Sequence, residues 1–203
     1  MKLYYLPGAC SLAAHIVLEW TGKPYETHRL SRDELKSAEY LRINPMGVVP
    51  AMVDGGETLT QNAAVLEYLV DTHPDCGLMG DGTPPSRAEI RRWLGFLNSD
   101  VHKTFSLLFN PQRFVSGEAG QEELRANASA RLRELFGIAD ARLAGRQWLA
   151  DRRSIADPYL YVVLRWARGK GVDLSGYDNL GAFFERMEND AGVQRALREE
   201  GLV

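Results

Sequence analysis

Four short stretches of the chain carry side chains whose types and spacing suit chemistry. Cys10 follows Pro7-Gly8 and directly precedes a run with helical spacing. A thiol at a helix N-terminus faces free backbone N–H groups and the positive end of the helix dipole, which favours the thiolate and lowers its pKa. Such a thiol is open to nucleophilic attack or thiol-disulfide chemistry, and equally to the inert role of a small buried hydrophobe. The other cysteine, Cys76, stands 66 positions away in unlike surroundings. No disulfide framework, C-x-x-C pair or zinc site is expected, and any cysteine chemistry is monothiol.

Val48-Val49-Pro50 forms the second stretch. An X-Pro bond is cis for only ~0.5–1 kcal/mol, and a cis bond here would turn the Val49 amide and carbonyl outward for a peptide to pair with. Spacing by itself favours an ordinary trans proline ending a loop. In the third stretch, Thr60-Gln61-Asn62, the start of a helix offers free amides to a carboxylate, with Gln61 and Asn62 adding side-chain hydrogen bonds. Simple capping would use the same residues. The fourth, Asp100-Val101-His102-Lys103, places an imidazole and an ammonium on a helix, where they would steady a thiolate within ~4–6 Å or else belong to a solvated face. Phe105, Phe109 and Phe114 suit a core as well as a pocket wall.

These residues need elements to position them. Lys2 to Leu6 reads as a strand, then Leu12, Ile16, Val17 and Trp20 repeat at helical spacing until Gly22 stops the helix. A second strand over Tyr25 to Leu30 and a weaker helix over Glu34 to Leu41 follow, then the loop Asn44-Pro45-Met46-Gly47. Ala51–Val53 and Thr58–Thr60 flank the turn composition Asp54-Gly55-Gly56, and Ala63 to Asp71 carries one apolar helical face. The order predicts a parallel βαβ unit, an antiparallel hairpin and a covering helix.

Residues 74–86 hold six Gly or Pro in thirteen, so no helix is expected there and the stretch divides an α/β unit, 1–73, from a helical one, 87–203. In the second unit Ile90, Leu94, Leu97, Val101, Phe105 and Leu108 step by three or four, as do Leu124, Ala128, Leu132, Leu135 and Ala139. Ser154-Ile155-Ala156-Asp157 has the form of a capping box, the Ser154 hydroxyl accepting from the Asp157 amide and the carboxylate reaching back. It opens a helix expected to run through Trp166. Shorter helices are expected around Leu180 to Met187 and Val193 to Glu200.

Composition narrows the function. The 203 residues are 45% hydrophobic and 25% charged, a soluble globular balance. Net charge is −3 with basic residues scattered, which argues against a nucleic-acid partner. Every apolar run is broken well short of the ~20 residues a membrane span needs, and the N-terminal apolar stretch is too short for a secretory signal. A cytoplasmic protein is expected.

Taken in order, Leu3-Tyr4-Tyr5-x-Pro7-Gly8-x-Cys10-Ser11, Asn44-Pro45-x-Gly47-x-Val49-Pro50-Ala51, Leu59-Thr60 before a helix, Ser99-x-x-His102-Lys103 and Ser154-x-Ala156-Asp157-x-Tyr159-Leu160 resemble a beta-class bacterial glutathione transferase. The resemblance spans essentially the whole chain. It implies a thioredoxin-like N-terminal domain, an all-helical C-terminal domain, and a homodimer binding glutathione at the seam. Glutathione would be a co-substrate, with no metal and no other cofactor.

The resemblance implies roles residue by residue. Cys10 would lie beside the glutathione sulfur, His102 and Lys103 would approach it, and Pro50 would be cis with Val49 pairing to the cysteinyl backbone. Gln61 and Asn62 would hold the γ-glutamyl end, and Tyr5 and Ser11 would add contacts. Ser99 and Asp100 would reach the partner subunit's glutathione. Phe109, Phe114 and Trp166 would wall the pocket of a small hydrophobic electrophile, and Ser154 and Asp157 would be structural. Two departures stand out. Gln61-Asn62 replaces the usual Glu followed by Ser or Gly, removing a carboxylate toward the glutathione ammonium, and Gly95 removes a polar contact to the partner's site. The implied activity is glutathione transfer, with thiol-disulfide exchange through Cys10 as a second reaction. The rival reading is a non-catalytic ligand carrier or stress-regulator module on the same fold.

Overall fold

A computed structural model describes residues 1–203. Strands β1 (Lys2–Tyr5), β2 (Glu26–Arg29), β3 (Ala51–Asp54) and β4 (Glu57–Thr60) form one sheet in the order β2-β1-β3-β4. β1 runs parallel to β2, with Leu3 opposite Thr27, and antiparallel to β3, with Leu3 opposite Met52. The parallel pair needs a crossover, and helix α1 (Ser11–Thr21) supplies it, stopped by Gly22 at φ 65°. Gly55 and Gly56, both at positive φ, make the two-residue turn between β3 and β4.

The pleat of β1 sorts the core. Leu3 and Tyr5 point to the face covered by α1 and by α3 (Asn62–Thr72), while Tyr4 packs on the other face with Leu30, Ala51 and Tyr40. Tyr40 belongs to α2 (Ala38–Ile43). The helix expected over Glu34 to Leu41 is therefore two pieces, a 3₁₀ turn at Glu34–Lys36 and α2, parted where the Ser37 hydroxyl caps the Tyr40 amide.

Helices α4 (Pro84–Gly95), α5 (Lys103–Phe109), α6 (Glu118–Leu143), α7 (Ala156–Gly169), α8 (Asp178–Glu188) and α9 (Ala191–Glu200) form the helical part. α4 starts inside the stretch expected to exclude helix, because Pro84 and Pro85 occupy its first turn, where a missing N–H costs nothing. Between α4 and α5 the backbone stays helical but widens to a π-helix over Phe96–His102, a feature the apolar spacing conceals. α7 runs three residues past Trp166, to Gly169.

The capping box ahead of α7 also differs from expectation. Asp157 accepts from the Ser154 amide (2.7 Å) and the Leu149 amide (3.0 Å), but the Ser154 hydroxyl donates to the carboxylate (3.0 Å) rather than accepting from the Asp157 amide. α1 is buried between the sheet and helices α7 and α9, so the two layers share one continuous core. No helix is long and apolar enough to cross a membrane.

Candidate active site

A cleft of about 600 Å³ opens where the carboxyl end of β1 meets α7 and the π-helical segment. Four of its walls come from distant parts of the chain: the turn Pro7–Cys10, the loop Asn44–Pro50, the start of α3, and the helical residues Asn98, His102, Phe109, Tyr159 and Trp166.

Cys10 sits at the N-terminus of α1, 8% exposed, and its thiol donates to the Val49 carbonyl at 3.3 Å. The expected lowered pKa is not what the surroundings produce. Burial pushes the Cys10 thiol up to about 12, outweighing the amides of Cys10 and Ser11 that pull the other way. The resting group is a thiol.

The Val49–Pro50 bond is cis. Tyr40 Oη and Asn44 Nδ2 both donate to the Val48 carbonyl, at 2.7 and 2.6 Å, fixing the loop before it. Gly47 has φ 61°, and a Cβ there would meet the Leu35 carbonyl oxygen at 2.8 Å, so the loop tolerates only glycine. The Val49 N–H donates to no protein acceptor, which leaves a strand-like edge toward the cleft.

Gln61 precedes α3 with φ 70°, a left-handed conformation costly for a residue with a Cβ, of order 1–3 kcal/mol. The strain swings the chain so that Asn62 enters α3 buried, 4% exposed, facing the cleft, with neither Nδ2 nor Oδ1 hydrogen-bonded. A buried amide without protein partners is expensive, and at the edge of a cleft its free donor and acceptor are available to a bound group.

On the helical side the π-helix places Asn98 and His102 toward the same Tyr159 hydroxyl: His102 Nδ1 is 2.6 Å away, and the hydroxyl donates to Asn98 Oδ1 at 3.2 Å. Burial pushes His102 down to about 4, so its imidazole is neutral near pH 7 and cannot steady a thiolate by charge, as its spacing suggested. Burial likewise raises the Tyr159 hydroxyl. Trp166 stacks edge-on with His102 (4.8 Å between centroids) and Phe109 (5.4 Å), and its Nε1 donates to the Gly8 carbonyl at 2.8 Å, tying the helical wall to the Pro7–Cys10 turn.

The opposite end of that turn is also held. The Gly8 amide donates to Glu200 Oε2 at 2.8 Å, and Glu200 Oε1 meets His15 Nδ1 at 3.0 Å. His15 Nε2 meets Glu199 at 3.2 Å, and the imidazole is fully buried. Burial alone would lower the His15 pKa, but the two carboxylates raise it.

The structure thus brings together Cys10, Val49, Pro50, Gln61, Asn62, His102, Phe109 and Trp166. It places the remaining candidates elsewhere. Tyr5 is buried beneath the turn, its hydroxyl donating to the Glu199 carbonyl, and Ser11 is buried with Oγ 3.4 Å from the Leu6 carbonyl. Lys103, Ser99 and Asp100 are exposed and outside the cleft of their own chain, and Phe114 is 51% exposed beyond its rim. Sequence reasoning missed Arg32, Asn98, Tyr159 and Lys170, all lining residues. Asn98 stands four residues before His102, a spacing that puts both on one helical face and could have marked it, while Tyr159 stood within a quoted motif with nothing local to join it to His102 57 residues away.

Comparison with known proteins agrees with this architecture. The family models for the N-terminal and C-terminal domains of glutathione S-transferase match residues 8–72 and 97–191. Glutathione S-transferase GST-4.5 of Xanthomonas campestris pv. campestris is 52% identical over 203 residues, all of both chains. The structure of a glutathione S-transferase from Xylella fastidiosa superposes with a TM-score of 0.97 at 50% identity, covering 100% of this chain and 99% of that one. A beta-class glutathione S-transferase from Sphingomonas chungbukensis superposes with a TM-score of 0.88 at 40% identity, covering both chains completely. With both halves matched and a relative alike over its entire length, the chain belongs to the glutathione S-transferase family.

Proposed function

We propose that the cleft binds glutathione and that the protein transfers it to small hydrophobic electrophiles. The observation that carries this is Asn62: a buried amide with a free donor and a free acceptor, lining a cleft that also offers an unpaired Val49 N–H. A γ-glutamyl tripeptide supplies partners to both, its amino-acid end to Asn62 and Gln61 and its cysteinyl backbone to Val49. Arg32, exposed at the sheet side of the cleft, suits the glycyl carboxylate. In the transfer, the glutathione thiol gives its proton to solvent water and the thiolate attacks the electrophilic carbon. A C–S bond forms and the leaving group departs with its electron pair. Tyr159 lines the same cleft as Cys10, beside which the sulfur would lie, and His102 and Asn98 orient its hydroxyl. Retention on glutathione resin, elution by free glutathione and conjugation of 1-chloro-2,4-dinitrobenzene are the expected results; neither retention nor conjugation would favour the non-catalytic carrier instead. Cytoplasmic residence, a division at residues 74–86 and a homodimer in which Ser99 and Asp100 face the partner's glutathione belong to the same proposal. Light scattering tests the dimer.

Cys10 supports the second reaction. Its thiolate would attack oxidised glutathione, forming a mixed disulfide and releasing one glutathione thiol, and another glutathione would then restore the thiol. Because burial holds Cys10 as a thiol, adduct formation is expected to be slow at pH 7 and to quicken about tenfold per pH unit up to pH 9. Intact mass spectrometry should show one glutathione per chain and none in Cys10→Ser; a rate independent of pH would contradict the buried-thiol account.

The Gln61 departure has a measurable side. Gln61 is exposed, so restoring a carboxylate with Gln61→Glu is expected to tighten glutathione only about two- to fivefold, within the range of solvated ion pairs. Calorimetric titration would check it, and unchanged or weaker binding would remove this residue from the ammonium's surroundings.

A further inference from the structure

The chain has 27 acidic and 24 basic residues, yet its cleft is lined by none of the acids and by two of the bases, Arg32 and Lys170. Neither is in an ion pair. Their places differ. Arg32 stands on the sheet side, lining a neighbouring recess with Leu6, Pro7, Arg29 and the carboxylate of Glu34. Lys170 follows α7, four residues after Trp166, with its backbone N–H bonded to the Trp166 carbonyl at 2.9 Å and Nζ 5.4 Å from the centre of the Phe109 ring. The Phe109 ring, one of the two aromatic walls that would hold an electrophile, therefore has an ammonium without a carboxylate partner over it.

A lysine at a helix C-terminus is favourable in any protein, so its position alone argues little. The absence of carboxylates from this chain's own lining of the cleft argues more, since Glu34 stands in the recess beyond Arg32 and the Asp100 that would reach across the dimer belongs to the glutathione end. A thiolate and an anionic acceptor repel each other, and an enzyme that joins them needs cations near both and no further negative charge beside the acceptor. We propose that Lys170 is a specificity-determining residue and that the preferred electrophiles are aromatic rings bearing an anionic group, a carboxylate or sulfonate. The inference rests on the transferase reading above. The ring lies against Phe109 and Trp166, its anionic group reaches Lys170, and the glutathione sulfur displaces the leaving group from the ring carbon while the carboxylate stays intact.

The test compares 4-chloro-3,5-dinitrobenzoate with its methyl ester, which differ in charge, each kcat/KM being divided by the uncatalysed rate with glutathione. The wild-type protein is expected to favour the acid over the ester by about fivefold or more, and Lys170→Gln to cut that ratio about tenfold through KM for the acid, with Lys170→Arg retaining most of it. Raising NaCl to about 0.5 M should erode the wild-type preference. Lys170 is exposed, and matched circular dichroism melts would show that the variants fold. A wild-type ratio at or below one, a ratio unmoved in Lys170→Gln, or an effect confined to KM for glutathione would each overturn the inference while leaving transfer intact. Failure to conjugate either compound, together with no retention on glutathione resin, would instead overturn the transferase reading.

Discussion

Replacing Asp157 with alanine is expected to destabilise the protein by about 3–5 kcal/mol, since each donor left buried without a partner costs ~1–3 kcal/mol. The carboxylate is fully buried and takes bonds from the Ser154 amide, the Ser154 hydroxyl and the Leu149 amide. Neither amide has another acceptor in reach. For a chain of this size the loss corresponds to a drop of roughly 10 °C in Tm. It would consume a large part of an ordinary domain's ~5–15 kcal/mol. Asp157→Asn should fall between, because one oxygen still accepts while the new N–H₂ confronts a donor. Urea unfolding followed by circular dichroism gives the number, and a loss below about 1 kcal/mol would show that the loop before α7 finds other acceptors.

Glu200→Ala is the second large effect. It removes a buried carboxylate from between His15 and the Gly8 amide, and breaking a buried pair by deleting one partner typically costs ~3–5 kcal/mol. The same change frees the Pro7–Cys10 turn at one end, so KM for glutathione should rise more than kcat falls. Glu200→Gln keeps an acceptor for Gly8 but no charge for His15, and its readout is pH. In the wild type the carboxylates hold the His15 proton more tightly in the folded protein than in the unfolded chain. The stability this supplies is complete below about pH 6.5, the ordinary value, and fades as pH rises through the folded-state value. Glu19, engaged by Arg195 and Tyr25, and the rings of Tyr5 and Tyr25 complete the surroundings of that imidazole. Urea midpoints from pH 6 to 9 should therefore decline in the wild type and stay flatter in Glu200→Gln; parallel profiles would contradict a charged clamp.

How far the sequence carries depends on the range of the forces involved. Gly22, Gly55-Gly56 and the apolar steps of α1, α3 and α6 are local signals, and each element formed where its own residues place it. Ser37 was as local, and its capping bond explains why the weak helix over Glu34 to Leu41 divides. The motif residues Cys10, Val49, Pro50, Asn62, His102 and Trp166 do converge on one cleft. The charges of the site were not legible, because burial sets them: spacing gives His102 a charge and Cys10 a lowered pKa, and desolvation reverses both. Lys103 lies outside the cleft of its own chain for a geometric reason, since the residue after His102 on a helix points another way, out to solvent. His15 offered no signal among the apolar residues of α1, for its partners lie 184 and 185 positions away.

That separation has a bearing on how the protein is made. The bond from Gly8 to Glu200 spans 192 residues, nearly the whole length of the chain. On a ribosome adding ~5–20 residues per second, the two ends of that bond are produced on the order of 10–40 s apart. Throughout that interval the turn between β1 and α1 lacks the acid that holds it in the folded protein, where Cys10 is nearly enclosed. The order of synthesis thus leaves the Pro7–Cys10 turn without this one bond until nearly all of the chain has been made.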